Sequence, residues 1–134
     1  MLYDDTVVIV LGCVPYPDAV AEVADFFMRL EIAKWSVCLA PHEGFLHVSL
    51  RTTETEGSAG RLLASILPSG MAGGHGMIAG GKVKLTKETK KLCDKIAGDI
   101  LRALGKSGAR RKIPCELSKT KRRHLAVSNA KSIC

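Results

Sequence analysis

Two short stretches carry the residue types from which a polar site could be built. The first, FLHVSLRT at 45–52, alternates as a strand would, with Leu46, Val48 and Leu50 on one side and His47, Ser49 and Arg51 on the other. The second, MAGGHGMIAGG at 71–81, has five glycines in eleven positions and keeps a histidine, His75, among them. Arginine offers a planar fork of donors that suits phosphate, and glycine lets the main chain approach a ligand with no Cβ in the way. A histidine ring nitrogen can donate to the same anion. If the strand runs beside the glycine stretch, Ser49 and Arg51 project toward exposed main-chain N–H groups and His75. Singly, each residue has an ordinary reading as a strand-end base, a solvent-facing hydroxyl or a loop-filling imidazole. Together they point to a phosphate-binding pocket.

Other chemistries fit less well. HEGFLH resembles a zinc-protease signature, but His42 and His47 are five apart across a turn, not four apart on one helix face. Gly76 to Lys82 has the spacing of a nucleotide phosphate loop, yet Val83 stands where Ser or Thr would hold magnesium, and GKVKL continues as strand. There is no G-x-S-x-G elbow and no carboxylate pair suited to acid and base work, so no catalytic residue and no metal ligand is expected in this chain. The five cysteines are odd in number and widely spaced, which argues against a disulfide framework and for a reducing, cytoplasmic setting. The apolar run VVIVLGCV is far shorter than the ~20 residues of a membrane span, so neither an anchor nor a membrane partner is expected.

The elements that must position these residues can be read from periodicity. DTVVIVLG at 5–12 reads as a buried strand, and a helix follows from Pro17, with Val20, Val23, Ala24, Phe27 and Leu30 inward and Asp18, Glu22, Asp25 and Arg29 opposite. Ala33, Trp35, Val37 and Leu39 alternate as the next strand, APHEG turns, and 45–52 returns. Ser58 is a suitable cap for a helix through Leu62, Leu63, Ile66 and Leu67, stopped by Pro68. After the glycine stretch, read as a loop, comes a short strand, and Thr86 can cap a helix with Leu92, Ile96, Ile100 and Leu104 in line, ended by Gly105. The expected architecture is α/β: a mixed sheet with helices packed on it, in the order β-α-β-β-α-β-α, followed by a basic tail.

Charge is divided along the chain. Residues 1–81 carry a net −5 and residues 82–134 a net +12, giving +7 for the whole. From Lys106 onward there are nine bases and one acid, a composition that attracts polyanions with strong salt dependence. Aromatic residues make up 4% of the chain, too few for generic single-strand binding by base stacking.

In this order of elements, VSLRTT and AGGHGMIAGG resemble the DHH-associated domain, the substrate-binding C-terminal domain of DHH phosphoesterases of the RecJ and nanoRNase/pAp-phosphatase type. In that family a strand ending in S-x-R precedes a helix and a loop of the form G-G-G-H-x-x-A-x-G. Ser49 and Arg51 match the first element, and Gly73, Gly74, His75, Ala79 and Gly80 the second; Ala72 replaces the first loop glycine and Ile78 a small alanine. The likeness covers about residues 5–85 and implies that these seven residues bind substrate.

The grouped aspartates and Asp-His-His motif of the family's catalytic half are not in this sequence. The resemblance therefore implies a fragment or separated domain, inactive alone, with residues 1–105 as the substrate-binding domain and 106–134 as a basic, partly disordered extension. Manganese or magnesium and phosphoester hydrolysis would belong to a separate N-terminal domain. Implied partners are a short oligonucleotide, nucleotide or other phosphoester, the DHH catalytic domain and, as one option, a second copy of the chain. Two rivals remain: a non-enzymatic nucleic-acid-binding module acting through its tail, and a nucleotide-binding protein using Gly76 to Lys82.

Overall fold

A computed structural model of the chain describes residues 1–56, 58–106 and the backbone of 110–111. Its centre is a seven-stranded mixed sheet of order β5-β6-β4-β3-β2-β1-β7. The strands are β1 (Leu2–Tyr3), β2 (Thr6–Val10), β3 (Trp35–His42), β4 (Phe45–Thr52), β5 (Ala72–His75), β6 (Ile78–Lys84) and β7 (Arg110–Arg111). Three helices pack on them: α1 (Asp18–Phe27), α2 (Ala59–Ile66) and α3 (Thr89–Ala103). Among the described strands only β2 and β3 pair in parallel, and α1 supplies the crossover that a parallel pair requires. β3 and β4 form a hairpin through Glu43 and Gly44, both with positive φ (46° and 81°), the type I′ geometry that follows sheet twist.

The expected α/β architecture is the one observed, with additions. The order lacked β1, β5 and β7, and the glycine stretch is not a loop: it forms β5 and most of β6, joined in register from Ala72↔Gly81 to His75↔Ile78. Gly76 opens that two-residue turn at φ 58°, as a type II′ turn wants. Helix boundaries also shift. α1 ends at Phe27, leaving Leu30 in the following turn; α3 begins at Thr89 rather than after Thr86; and Ser58, although at the N-cap of α2, makes no capping bond. Most of the expected extension from residue 106, including its disorder, lies outside the described residues.

The two sheet faces are covered unequally. On one, α2 and α3 bury Val37, Leu39, Leu46, Val48 and Leu50 under Leu63, Ile96 and Ile100, each fully buried large side chain stabilising the fold by roughly 1.5–3 kcal/mol. On the other, α1 lays Ala19, Val20, Val23 and Ala24 over Cys38 and Ala40 of β3. That helix reaches no farther than β4, so the β6 and β5 residues of this face, Ile78, Gly80, Lys82, Lys84, Gly73 and His75, are exposed. A groove results along the uncovered side of α1.

Candidate functional site

Alternation on β4 sends His47, Ser49 and Arg51 to the face shared with α1, and register sets each beside a residue of β6: Arg51↔Ile78, Ser49↔Gly80, His47↔Lys82. The groove they line with Pro17, Asp18 and Ala21 of the α1 region has a volume of about 250 Å³. Cavities for whole small molecules run larger, from about 300 Å³, so this one suits a group of phosphate size.

Arg51 is its most constrained member. Only 12% of its side chain is exposed, and a guanidinium so far out of water must be paired. Its Nε donates to Asp25 Oδ1 at 2.6 Å, and its Nη1 donates to Ser49 Oγ at 2.8 Å and to the Leu50 and Ala79 carbonyls at 3.1 Å. Nη2 has no hydrogen-bond partner among the described residues. The sequence suggested an open fork; the structure has one arm free and the other two held. Asp25, expected on the solvent side of α1, is the carboxylate that holds one of them. Its spacing from Val20 and Val23 put it off the buried stripe, but only the approach of α1 to β4 brings it to Arg51.

Ser49 is 4% exposed and accepts from Arg51, leaving its own hydroxyl proton to donate. His47 is half-buried, and burial first, then the neighbouring His42 and Lys82, push its imidazole below the usual histidine range. The His42 Nδ1 lies 2.9 Å from the Val14 carbonyl, so it carries the proton and donates there. Its ring meets that of His47 edge-on at 5.8 Å.

The glycines divide by face. Gly74 and Gly81 lie on the α2 side: a Cβ on Gly74, at φ 147°, would run into the Ile78 carbonyl and Ala79, and one on Gly81 would come within 2.7 Å of the Met71 carbonyl. Gly60 of α2 is pressed against the Gly74 carbonyl in the same way, so these three glycines let helix and hairpin close. Gly73 and Gly80 are paired on the opposite face, where a Cβ would meet nothing closer than the Val48 carbonyl at 3.9 Å. They leave a strip of bare main chain beside Ser49 and Arg51.

The seven expected residues are thus only partly assembled. Ser49, Arg51 and Gly80 line the groove together. Ala79 contributes its carbonyl, but its side chain is buried in the core with Leu50 on the other face, and Gly74 also belongs to that face. Gly73 and His75 share the face of Arg51 but sit on β5, two strands away, about 10 Å across the sheet. The main-chain donors need correction too: from Ile78 to Gly81 β6 is paired on both sides, so the N–H groups of Gly80 and Gly81 are spent in the ladder. The alternation set by the two-residue turn leaves Ala72 and Gly74, on the outer side of β5, as the unpaired ladder positions. Asp18, Asp25, His47 and Ile78 complete the surroundings of the groove and its arginine, and sequence reading did not assign them to it. Among the described residues, no group of three His, Cys, Asp or Glu could hold a metal ion, and no helix is long and apolar enough to cross a membrane.

No protein-family model matches the chain, and no curated protein matches it. Its fold is similar to that of an exopolyphosphatase-related protein from Bacteroides fragilis, with a TM-score of 0.60 at 18% identity over 76% of this chain. The match spans 30% of that protein's length. It is also similar to the C-Ala domain of alanyl-tRNA synthetase from Aquifex aeolicus, with a TM-score of 0.50 at 16% identity, covering 72% of this chain and 89% of that one. At these identities the likeness is one of fold.

Proposed function

We propose that the chain is the phosphate-binding part of a phosphoesterase, holding the phosphate of a nucleotide or short oligonucleotide in the groove between α1 and the β4–β6 face. The observation that carries this reading is Arg51, pinned through Nε and Nη1 with Nη2 left to donate, beside the Ser49 hydroxyl and the bare main chain of Gly80. A donor held in position loses little freedom when it meets an anion, and a glycine strip lets that anion approach closely. The groove has no nucleophile paired with a base and no metal cluster, so its residues bind and orient. Hydrolysis, with manganese or magnesium, belongs to a partner domain. The fold likeness to under a third of an exopolyphosphatase-related protein supports such a division of labour.

The test is calorimetric titration with a nucleotide 5′-phosphate. Arg51→Ala should weaken binding by about 1.5–3 kcal/mol, the range for charge-assisted hydrogen bonds, with thermal unfolding confirming that the variant folds. Equal affinity in a folded variant refutes the reading. A second reading, a nucleic-acid-binding module working through its basic end, is favoured by the likeness to most of a C-Ala domain and by the nine bases from Lys106 onward. A chain shortened to residues 1–111 keeps every described element; groove binding survives that change, whereas binding through the end is lost with its salt dependence.

A further inference from the structure

We propose that Asp18, at the start of α1, makes the groove select a phosphate that carries one negative charge, so that a singly charged ester is bound in preference to the doubly charged monoester of the same nucleotide. Asp18 is then a specificity-determining residue. The inference rests on the phosphate-binding reading of the groove and names the charge state it takes.

The fixed charges around the groove do not add up to a seat for two negative charges. Among the described residues its lining holds one arginine, Arg51, and one carboxylate, Asp18. The guanidinium already carries a carboxylate of its own, since Nε donates to Asp25 Oδ1 at 2.6 Å. His47, on the same wall, is neutral at pH 7, because burial, His42 and Lys82 hold its imidazole low. Lys82 is outside the lining, its Nζ placed 4.8 Å from the centre of the Phe45 ring. One cation is thus set against two carboxylates.

The donors lead to the same charge. Nη2 of Arg51 and the hydroxyl of Ser49 are two donors, and the two non-bridging oxygens of a diester, which share a single charge, can take both. The additional charge of a monoester meets no further cation in the lining, and it faces Asp18. A space of about 250 Å³ is roughly 8 Å across, a distance over which one unit charge changes a binding constant severalfold. An acid in the first turn of a helix also stabilises that helix, and Asp18 stands in the first turn of α1. Glu22, one turn farther on, separates the two roles. It is acidic like Asp18 but lies outside the lining, where it accepts a hydrogen bond from Tyr16 Oη at 3.1 Å.

The experiment titrates the full chain with a nucleoside 5′-phosphate and with the methyl ester of that phosphate, by calorimetry at pH 7.5. The methyl ester should bind about three- to tenfold more tightly. In Asp18→Asn the gap should close, because the doubly charged phosphate gains most, whereas Glu22→Gln should keep it; thermal unfolding of both variants reports any loss to the helix. Lowering the pH to 5 should close the gap in the parent as well, since the monoester takes up its second proton with a pKa of about 6. Asp18, Asp25, His42, His47, Arg51 and Lys82 then face two esters of equal charge. Equal affinity for the two esters in the parent at pH 7.5, a gap unmoved by Asp18→Asn, or a gap that persists at pH 5 overturns the inference, and the groove reading stands if Arg51→Ala weakens both esters. Binding of both esters indifferent to Arg51→Ala overturns the groove reading itself.

Discussion

At Arg51 the ordinary assumption about a surface base reverses. A strand-end arginine facing water would spread its charge over solvent, but this one is tied to Asp25, Ser49 and two carbonyls, and these bonds keep a largely buried guanidinium from being costly. His47, two rungs away, is the group through which pH enters. Burial, His42 and Lys82 hold its pKa below the ordinary value of 6.5, so it is neutral at pH 7. A histidine whose folded pKa is depressed contributes full stability above its unfolded pKa and loses it as pH falls through the folded value. An anion in the groove opposes the shift by favouring the imidazolium, against a background set by Asp18, His42 and Lys82. Affinity for a phosphodiester, whose charge does not change in this range, should therefore rise as pH is lowered from 7 toward 5, with proton uptake on binding. Calorimetry in buffers of different ionisation enthalpy measures that uptake, and His47→Gln should abolish it.

The β5–β6 hairpin explains why this chain gives up side chains where it does. Glycine is a poor strand former, so local preference alone reads the stretch as a loop; β4 on one side and the type II′ turn at Gly76 make it a sheet instead. Its glycines perform two tasks on two faces, and the tasks separate by mutation. Gly74→Ala should cost about 1–3 kcal/mol in denaturant unfolding, because the new methyl has no room and the backbone sits at positive φ. Gly80→Ala meets only the Val48 carbonyl, at an ordinary contact distance of 3.9 Å, and should unfold like the parent, yet its methyl group projects into the groove and should weaken nucleotide binding severalfold. Strand β4, by contrast, was legible residue for residue, since hydrophobic alternation and the Glu43-Gly44 turn agree with its environment. The inward line of α3 was legible too, although its start was not.

Across the whole molecule, the described start of the basic end, β7, stands four strands away from β4 of the groove. β7, where the chain enters that end, pairs with β1 at one sheet margin, while β5 forms the other. Lys106, just after α3, is fastened to the β1–β2 turn by its 2.9 Å contact with Asp5, which Lys34 also approaches. Burial alone would raise the Asp5 carboxyl, but the hydrogen bond and charge of Lys106, with help from Lys34, outweigh it and hold the carboxyl below its usual range. A lowered acid contributes stability above its unfolded pKa and loses it as pH falls through the folded one. Lys106→Ala should thus unfold about 0.5–1 kcal/mol more easily at pH 7, a difference that closes in acid below the folded Asp5 value; urea titrations at several pH values check it.

From its sequence alone, the chain's α/β class, the three helices among the described residues and the faces of β4 could be derived, because each follows from local periodicity and residue type. The partnership of Asp25 with Arg51, the burial of Ala79 and the division of glycines between packing and open groove were settled only by tertiary structure. Those outcomes depend on which strands become neighbours and how far a helix reaches across them. Such contacts join residues far apart in the chain, and no local pattern encodes them.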